Sequence, residues 1–453
     1  MLGPRPQQSA FIKTAAANSE VSKNIRVGLS GIAGYGDTYL ESLLNKCDPL
    51  GARLVGVVDP MPHRCRRLGE LRKLEIPIHA SIDQLFEQSS VDLMLLATPI
   101  HLHARQTCFA LQRGANVLCE KPAAGTVSDA TRMLNAEHAS GRFAAIGFQW
   151  SFSDAIQALK RDISAGVFGR PIRMKSLAFF PRPIQYFRRN DWCGRLRASD
   201  GEGIYDSPVN NATSHFLHNM FYLLGRTRDT SAMPLTVQAD LYRANEIENY
   251  DTAAIRTVTE CGCELLFYTT HAVPDRIGPI SRFEFEHGVI EFAAAPTTAR
   301  ADSCATSAGQ FVARFYDGRT RSYGSPNIDC GDKIQSCLNA VRTNAAIPCG
   351  VRAALAHARC VAAAQQSGAI HTFPARRRRV VSLHGADMIQ IDGLQETLLE
   401  CYRRDLLPSE SGDVDWSSAS RPVSTVETEI FLPRRDRHRR GGESVASAAD
   451  GDL

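Results

Sequence analysis

The chain has 453 residues, of which 43% are hydrophobic and 22% charged, a composition typical of a globular protein with two or three domains. A net charge of +4 does not indicate a nucleic-acid partner, and no apolar run is long enough to span a membrane. Residues 1–23 lack the apolar core of a secretory signal and are predicted to be a disordered N-terminal tail. Thirteen cysteines without a CxxC pair predict neither a zinc site nor disulfides, so a cytoplasmic location is expected.

The first clear pattern is a strand, a glycine turn and a helix. Residues 24–30 (NIRVGLS) predict a strand, and apolar side chains between 39 and 44 recur at helical spacing. The turn between them brings backbone N–H groups to a helix N-terminus, where a dinucleotide pyrophosphate binds. Ala33 stands where the second glycine of G-x-G-x-x-G belongs, and Gly34 beside it offers room. The predicted cofactor contacts here are Gly31, Ile32, Ala33, Gly34, Tyr35 and Gly36.

An acid at the end of the second strand favours one cofactor. Residues 53–58 (RLVGVV) predict a strand that closes on Asp59, 23 residues past Gly36 (59 − 36). An acid near this spacing binds the ribose 2′-OH and repels a 2′-phosphate. The sequence therefore predicts NAD, while arginines between residues 64 and 67 keep NADP possible.

Two further strand ends carry polar residues. Residues 91–97 predict a buried strand that ends in T-P-I-H-L-H, and residues 116–119 predict another that ends in E-K-P. Pro122 stops the second strand, so Lys121 is expected at its carboxyl end, where ligands of open α/β sheets bind. The alternation of strands and helices up to about residue 148 predicts a doubly wound parallel sheet.

These motifs, in this order, resemble the Gfo/Idh/MocA family (glucose–fructose oxidoreductase, inositol dehydrogenase and rhizopine catabolism). The resemblance covers residues 24 to about 370 and implies a Rossmann domain over 24–150. In that family the EKP lysine lies beside the nicotinamide and the sugar, and the T-P-x-H segment lines the cofactor. For the two histidines of the T-P segment, capping of the following helix remains an equal alternative. The cofactor contacts expected in these segments are Thr98, Pro99, His101, His103, Glu120, Lys121 and Gln149.

The second half reads as runs of strands, which predict an α+β domain over 151–385 with a largely antiparallel open sheet. Residues 172–180 are expected to be its first strand. A packed helical extension is predicted over 386–407, followed by a mostly disordered basic tail over 408–453. Further strands are expected within 235–244, 251–260, 263–272 and 280–294, and a helix over 351–366.

A polar line marks the helix predicted from about Asn211 to Gly225. Asn211, His215, His218 and Tyr222 fall at helical spacing and are expected to face inward. The family's catalytic pattern is Asp-x-x-x-His, ten residues before a helix-ending glycine. His215 matches it (225 − 215), and Asn211 replaces the acid.

An amide can orient an imidazole but cannot supply negative charge to it. Asp206 can substitute for the missing acid if its loop folds back. Two histidines three residues apart, without a third ligand, do not predict a metal site. The predicted catalytic residues are therefore Lys121, His215 and Asn211.

The predicted function is an NAD(P)-dependent oxidoreductase that transfers hydride between nicotinamide and a secondary alcohol or ketone of a sugar or polyol. A histidine takes the hydroxyl proton and a lysine stabilises the alkoxide. NAD-dependent glycoside hydrolysis and a non-catalytic cofactor-binding regulator remain alternatives.

The resemblance implies a homodimer or homotetramer, formed through the open sheet face. Aromatics and arginines between 179 and 194 suggest an acidic or phosphorylated sugar, with predicted substrate contacts at Arg189, Asn190, Trp192, Asp206 and His218.

Overall fold

The computed structural model describes residues 24–46, 51–293, 309–383, 385–412 and 414–425. The predicted N-terminal tail and the last 28 residues, 426–453, lie outside this range. No helix within the described ranges is both long and apolar enough to cross a bilayer.

The first domain is a parallel sheet of six strands in the order β3-β2-β1-β4-β5-β6. Its strands are β1 Ile25–Ser30, β2 Ala52–Val58, β3 Ile78–His79, β4 Leu93–Leu96, β5 Asn116–Cys119 and β6 Ala144–Ile146. Its helices are α1 Tyr35–Lys46, α2 Leu68–Lys73, α3 Ile82–Gln88, α4 Ile100–Gln112 and α5 Val127–Ser140. The predicted doubly wound sheet is confirmed.

Both faces of this sheet are covered, which explains why every residue of β4 and β5 is buried. One cover comes from the second half of the chain. Helix α9 (Cys330–Thr343) packs Ile334 and Leu338 against Leu95 and Leu118 of the first sheet. This helix was not predicted, and its position joins the two domains.

The second domain is built on a sheet of nine strands in one path, β14-β13-β12-β11-β7-β10-β9-β8-β15, and β18 also pairs with β8. The predicted first strand, β7, is central and lies parallel to β10. The strands are β7 Pro171–Phe179, β8 Pro234–Arg243, β9 Thr252–Thr259, β10 Glu264–Thr270, β11 Ile277–Phe285, β12 Gly288–Ala293, β13 Phe311–Phe315, β14 Thr320–Gly324, β15 Ile370–Thr372 and β18 Val423–Ser424. The remaining helices are α6 Asp154–Ser164, α7 Ile184–Phe187, α8 Ser214–Leu223, α10 Val351–Ser367 and α11 Leu394–Arg404.

The predicted α+β domain with a largely antiparallel sheet is confirmed, and helices cover the centre of this sheet on both faces. Helices α8 and α10 pack on one face. On the other, Leu398 of α11 belongs to the same apolar cluster as Leu266 and Tyr268. The Tyr268 hydroxyl donates to the backbone carbonyl of Leu406 at 2.9 Å. The extension therefore covers the face through which the resemblance implied oligomerisation.

The extension also has different bounds from those predicted. A hairpin of β16 (Arg378–Leu383) and β17 (Ala386–Ile391) crosses the expected boundary at residue 386. Residues 414–425 do not form a tail, because Trp416 is 8% exposed and packs edge-on against Tyr242 at 4.8 Å. A buried aromatic holds the chain there although the surrounding sequence is polar.

Candidate active site

The carboxyl ends of β1, β4 and β5 bring the predicted cofactor residues to one edge of the first sheet. The Ala97 N–H donates to the Ser30 carbonyl, and the Glu120 N–H donates to the Leu96 carbonyl, each at 2.8 Å. These bonds align the glycine turn, the T-P segment and Lys121 at the point where strand order reverses. Ligands of doubly wound sheets bind at this position.

The glycine turn leaves no space for side chains at two of its glycines. A Cβ on Gly31 would lie 2.6 Å from the Ala97 carbonyl oxygen, and φ there is +82°. A Cβ on Gly36 would lie 1.9 Å from the Gly31 carbonyl oxygen. Gly34 has φ +59° with nothing within 4 Å of the added atom, so only its backbone conformation favours glycine. A close approach of a pyrophosphate to this backbone fits that geometry.

Asp59 closes the same turn. Its Oδ2 accepts from the Ile32 N–H at 3.1 Å, and its Oδ1 accepts from the Met61 N–H at 2.8 Å. The Ile32 side chain is fully buried, so this residue presents only backbone to a cofactor. Arg67 lies 3.0 Å from Glu41 and 3.3 Å from Glu70. That arginine is already engaged by acids, which favours NAD over NADP at this turn.

The two histidines of the T-P segment lie in the first turn of α4 and have different surroundings. His103 is 1% exposed, and its ring nitrogens lie 2.8 Å from the carbonyl oxygens of Pro122 and Thr98. It therefore ties together the loops that follow β4 and β5. His101 is half-buried, and its Nδ1 has no hydrogen-bond partner among the described residues. Burial lowers the pKa of both rings.

Glu120 points inward and braces the backbone beside Lys121. Its Oε1 accepts from the Tyr39 hydroxyl at 2.5 Å and from the Lys333 ammonium at 2.6 Å, and its Oε2 accepts from the Lys121 N–H at 3.2 Å. Burial raises the pKa of Glu120, but the Lys333 charge outweighs this and the net pKa is lowered. A Cβ on Gly147 would lie 2.7 Å from the same Oε1, so glycine makes room for this carboxylate.

Lys333 was missed in the sequence. It lies on α9, whose apolar residues Ile334, Cys337, Leu338 and Val341 recur at i, i+3, i+4 and i+7. That stripe predicts an amphipathic helix. The contact with Glu120 spans 213 positions in the chain, and no local pattern encodes it.

Lys121 crosses from the first domain to the second. Its Nζ donates to the backbone carbonyl of Asn211 at 3.0 Å and to Asn211 Oδ1 at 3.1 Å. Asn211 Nδ2 donates to Asp206 Oδ1 at 2.8 Å, and Asp206 Oδ2 accepts from the Gly194 N–H at 2.7 Å. Asp206 is 4% exposed. The loop does fold back, and an acid is joined to Lys121 through the amide that replaced the expected carboxylate.

Asn211 itself lies before the helix rather than on it. Helix α8 begins at Ser214, and the Asn211 N–H donates to the Ser207 carbonyl at 2.9 Å within a preceding turn. The predicted helix start at residue 211 is therefore three residues early. This turn allows the Asn211 backbone carbonyl and side chain to face Lys121 together.

His215 occupies the first turn of α8 next to this group. It is half-buried, lies edge-on to Phe148 at 5.9 Å, and its Nδ1 has no hydrogen-bond partner among the described residues. Burial and then the positive charge of Lys121 lower its pKa well below the ordinary histidine value. A neutral imidazole therefore lies within the electrostatic reach of the lysine. His357 was not predicted; its Nε2 donates to the Val209 carbonyl at 3.0 Å, and burial lowers the pKa of this ring to about 4.

His218 lies in the core rather than at the site. It is 1% exposed, stacks on Phe148 at 3.8 Å, and has its Nε2 3.1 Å from Ser151 Oγ. Tyr222 is also buried, and its hydroxyl donates to the Pro348 carbonyl at 3.0 Å. The predicted polar line does not converge on Lys121, and a substrate contact by His218 does not agree with its burial.

The other predicted site residues shape loops. Arg189 Nη1 donates to the Tyr186 carbonyl at 2.6 Å, and its guanidinium lies over the Tyr186 ring. Asn190 Oδ1 accepts from the backbone N–H of Trp192 at 3.2 Å. Gln149 donates to the Ile328 carbonyl, just before α9. Cofactor and substrate contacts by these residues stay predictions.

Together, the two domains form an architecture with a lysine at the domain junction. Residues 25–148 match the family model described as the oxidoreductase family with an NAD-binding Rossmann fold, GFO_IDH_MocA. The N-terminal domain therefore belongs to the Gfo/Idh/MocA family, as the resemblance implied, and the expected NAD-binding fold is confirmed.

Curated relatives are similar over about a third of the chain. Inositol 2-dehydrogenase 1 of Saccharopolyspora erythraea is 30% identical over 164 residues, which are 36% of this chain and 48% of the relative. The 2,7-anhydro-N-acetylneuraminate hydratase of Mediterraneibacter gnavus is 30% identical over 142 residues, 31% of this chain and 37% of the relative. The aligned part thus spans about half or less of these relatives' length.

Among solved structures, the WlbA dehydrogenase of Bordetella pertussis, in complex with NADH and UDP-GlcNAcA, is similar with a TM-score of 0.60. It is 21% identical, and the alignment covers 76% of this chain and 96% of WlbA. At this identity the likeness establishes the two-domain fold.

Proposed function

We propose that this protein is an NAD-dependent oxidoreductase that transfers hydride between nicotinamide and a secondary alcohol or ketone of a sugar or polyol. The observation that carries the proposal is the placement of Lys121 at the carboxyl edge of the cofactor sheet, bonded to Asn211 in front of a neutral His215. A cation and a base are the two groups that alcohol oxidation requires.

The first domain fits the cofactor. Gly31 and Gly36 allow backbone contact with the pyrophosphate at the start of α1, and Asp59 stands where the ribose hydroxyls would lie. Bound NAD supplies a hydride acceptor. The activity of the whole protein is part of this proposal because the aligned region covers less than half of the length of these curated relatives.

The chain's own residues divide the acid–base work. His215, kept neutral by its lowered pKa, takes the proton of the substrate hydroxyl. The Lys121 ammonium stabilises the oxygen as negative charge develops on it. The Asp206 carboxylate polarises the Asn211 amide, whose oxygen then fixes the lysine. In the reverse direction the same groups reduce a ketone.

The test is a titration of NADH fluorescence followed by a panel of polyols and sugars assayed by NADH absorbance. Gly36→Ala is expected to abolish NADH binding, because its Cβ would lie 1.9 Å from the Gly31 carbonyl oxygen. Gly69→Ala is the matched control, since nothing lies within 4 Å of its added atom. If neither NAD nor NADP binds the parent protein, the proposal fails.

A hydratase among the relatives supports a second candidate, in which the bound cofactor supports elimination or hydration without net NADH formation. The same panel separates the two. Product formation from a sugar derivative without a change in NADH absorbance would select the second candidate.

A homo-oligomer is also proposed, through a surface other than the covered sheet centre. Over β11–β13 the solvent face carries the ion-paired side chains Arg282, Glu291 and Arg314. Helix α11 does not cover this charged half of the second sheet. Light scattering of the full chain at raised salt tests whether association depends on it.

A further inference from the structure

A pocket of about 640 Å³ lies outside the proposed reaction centre, between the loop after α7 and the C-terminal extension. Its walls come from three parts of the chain: residues 187–195, the β8–β9 loop at 243–248, and Thr372 with Arg378 at the start of the extension. The volume is in the range of small-molecule sites. The extension, which lies beyond the region of family resemblance, therefore builds one wall.

The pocket is rich in arginine. Arg188, Arg195, Arg243 and Arg378 line it, against the two acids Glu246 and Glu248. Arg195 pairs with Glu248 at 2.8 Å, so that acid is already neutralised. Arg243 is held by the Ile247 and Glu248 carbonyls at 2.9 and 2.8 Å. A net positive lining favours an anionic ligand.

Arg378 stands out within its own run of arginines. Arg376 and Arg377 pair with Asp415, and Arg379 pairs with Asp392, at 2.6–2.8 Å. Among the described residues, Arg378 has no such partner; its side chain is half-buried, and its buried Nε lacks any hydrogen bond. The ion pairs of Arg376, Arg377 and Arg379 stabilise the extension, whereas the guanidinium group of Arg378 can bind a ligand in the pocket.

A second unsatisfied group points to a hydroxylated ligand. Asn245 also lines the pocket and is 5% exposed. Its Nδ2 donates to Asp251 Oδ2 at 2.8 Å, which fixes the amide, while its Oδ1 has no partner within the described residues. A buried acceptor without a donor carries a desolvation cost, and a ligand hydroxyl removes that cost.

From these observations we infer that the pocket is a binding site for a small hydroxylated anion, a sugar phosphate or a sugar acid. The guanidinium groups of Arg188 and Arg378 bind the phosphate or carboxylate, and Asn245 Oδ1 accepts from a hydroxyl. The pocket is connected to the reaction centre by one hydrogen bond, in which the backbone N–H of the lining residue Gly194 donates to Asp206 Oδ2 at 2.7 Å. Anion binding in this pocket does not depend on the proposed oxidoreductase activity.

Isothermal titration of the full chain with glucose 6-phosphate, gluconate and glucose tests the site. At least one of the two anions is expected to bind, and neutral glucose much more weakly; which anion binds separates phosphate from carboxylate recognition. Arg378→Gln and Arg188→Gln are each expected to weaken binding about tenfold or more, the effect of losing a charge-assisted hydrogen bond.

Two control variants establish whether the anion binds in this pocket rather than elsewhere on the protein. Arg379→Gln removes an arginine of the same run that pairs with Asp392, and Lys121→Ala alters the reaction centre; both are expected to keep the anion affinity. The inference is overturned if neither anion binds at 10 mM (roughly the weakest affinity of interest), if glucose binds as well, or if Arg378→Gln has no more effect than Arg379→Gln. Loss of binding in Lys121→Ala alone would also overturn it.

Discussion

The buried pair between Glu120 and Lys333 gives the sharpest test of how the domains are joined. The two side chains are 9% and 0% exposed and meet at 2.6 Å. In Lys333→Met the Glu120 carboxylate loses its cation inside the protein, and the Tyr39 hydroxyl is its remaining strong donor. Removing one partner of a buried pair costs about 3–5 kcal/mol of unfolding free energy.

The pH dependence of this loss follows from the direction of the pKa. In the parent protein Lys333 holds the pKa of Glu120 low, so the pair contributes stability above the carboxyl's unfolded pKa and loses it as pH falls through the folded pKa. Without the lysine, burial raises that pKa, and Glu120 escapes the penalty by taking a proton. The difference between variant and parent is therefore largest at pH 8 and smaller at pH 5.

Urea unfolding of the full chain, followed by circular dichroism at both pH values, measures this. Glu120→Gln combined with Lys333→Met removes both charges of the pair and is expected to recover a large part of the loss. Arg170→Met breaks a surface pair with Glu286 and serves as the control, with no shift of the midpoint expected. A Lys333→Met midpoint equal to the parent's, or an equal loss at pH 5 and pH 8, would refute the reasoning.

Three further outcomes are expected. Asn211→Leu removes the amide that fixes Lys121 and should lower kcat about 10- to 100-fold with unchanged NADH affinity; an unchanged kcat would contradict this role. The pKa of His215 is lowered, so this ring should stay neutral between pH 8 and pH 6.5 and kcat/KM for alcohol oxidation should not decrease over that range through its protonation. A kcat/KM that falls to half near pH 6.5 would count against His215 as the base. Trp416→Ala should lower the free energy of unfolding by about 3–5 kcal/mol, because it leaves a cavity in the apolar cluster under the extension. Tyr316→Ala replaces an aromatic side chain that is 67% exposed and should leave the unfolding midpoint unchanged. Equal effects of the two substitutions would contradict the packing of the extension.

The first domain could be predicted because its information is local. A strand that ends in a glycine turn, an acid that ends the next strand, and a proline after Lys121 each constrain the backbone within a few residues. The parallel order of the strands then places those ends together without any knowledge of distant contacts.

The site's second half was harder because its contacts are distant. Lys333 reaches Glu120 across 213 positions, and Asp206 reaches Asn211 through a loop whose path no periodicity describes. Helix α8 is buried on nearly every side, so a polar line along it did not identify the face toward the cleft. His218 therefore resembled a site residue in the sequence, although it packs against Phe148.

The C-terminal extension is longer than its composition predicts. From residue 408 the sequence is rich in Ser, Asp and Gly, which favours disorder. The buried side chains of Leu407 and Trp416, together with the pairing of β18 with β8, hold residues 408–412 and 414–425 against the sheet. Composition averages over such a segment hide the few residues that determine its packing.

The most direct test of the central claim is single-turnover kinetics of Lys121→Ala with NAD bound. The account predicts NADH affinity within about threefold of the parent and a loss of about 10²- to 10⁴-fold in the rate of hydride transfer, because the group that stabilises the reacting oxygen is gone. Arg170→Met, far from this edge, should leave both quantities unchanged. Hydride transfer at the parent rate in Lys121→Ala would contradict the assignment of this lysine.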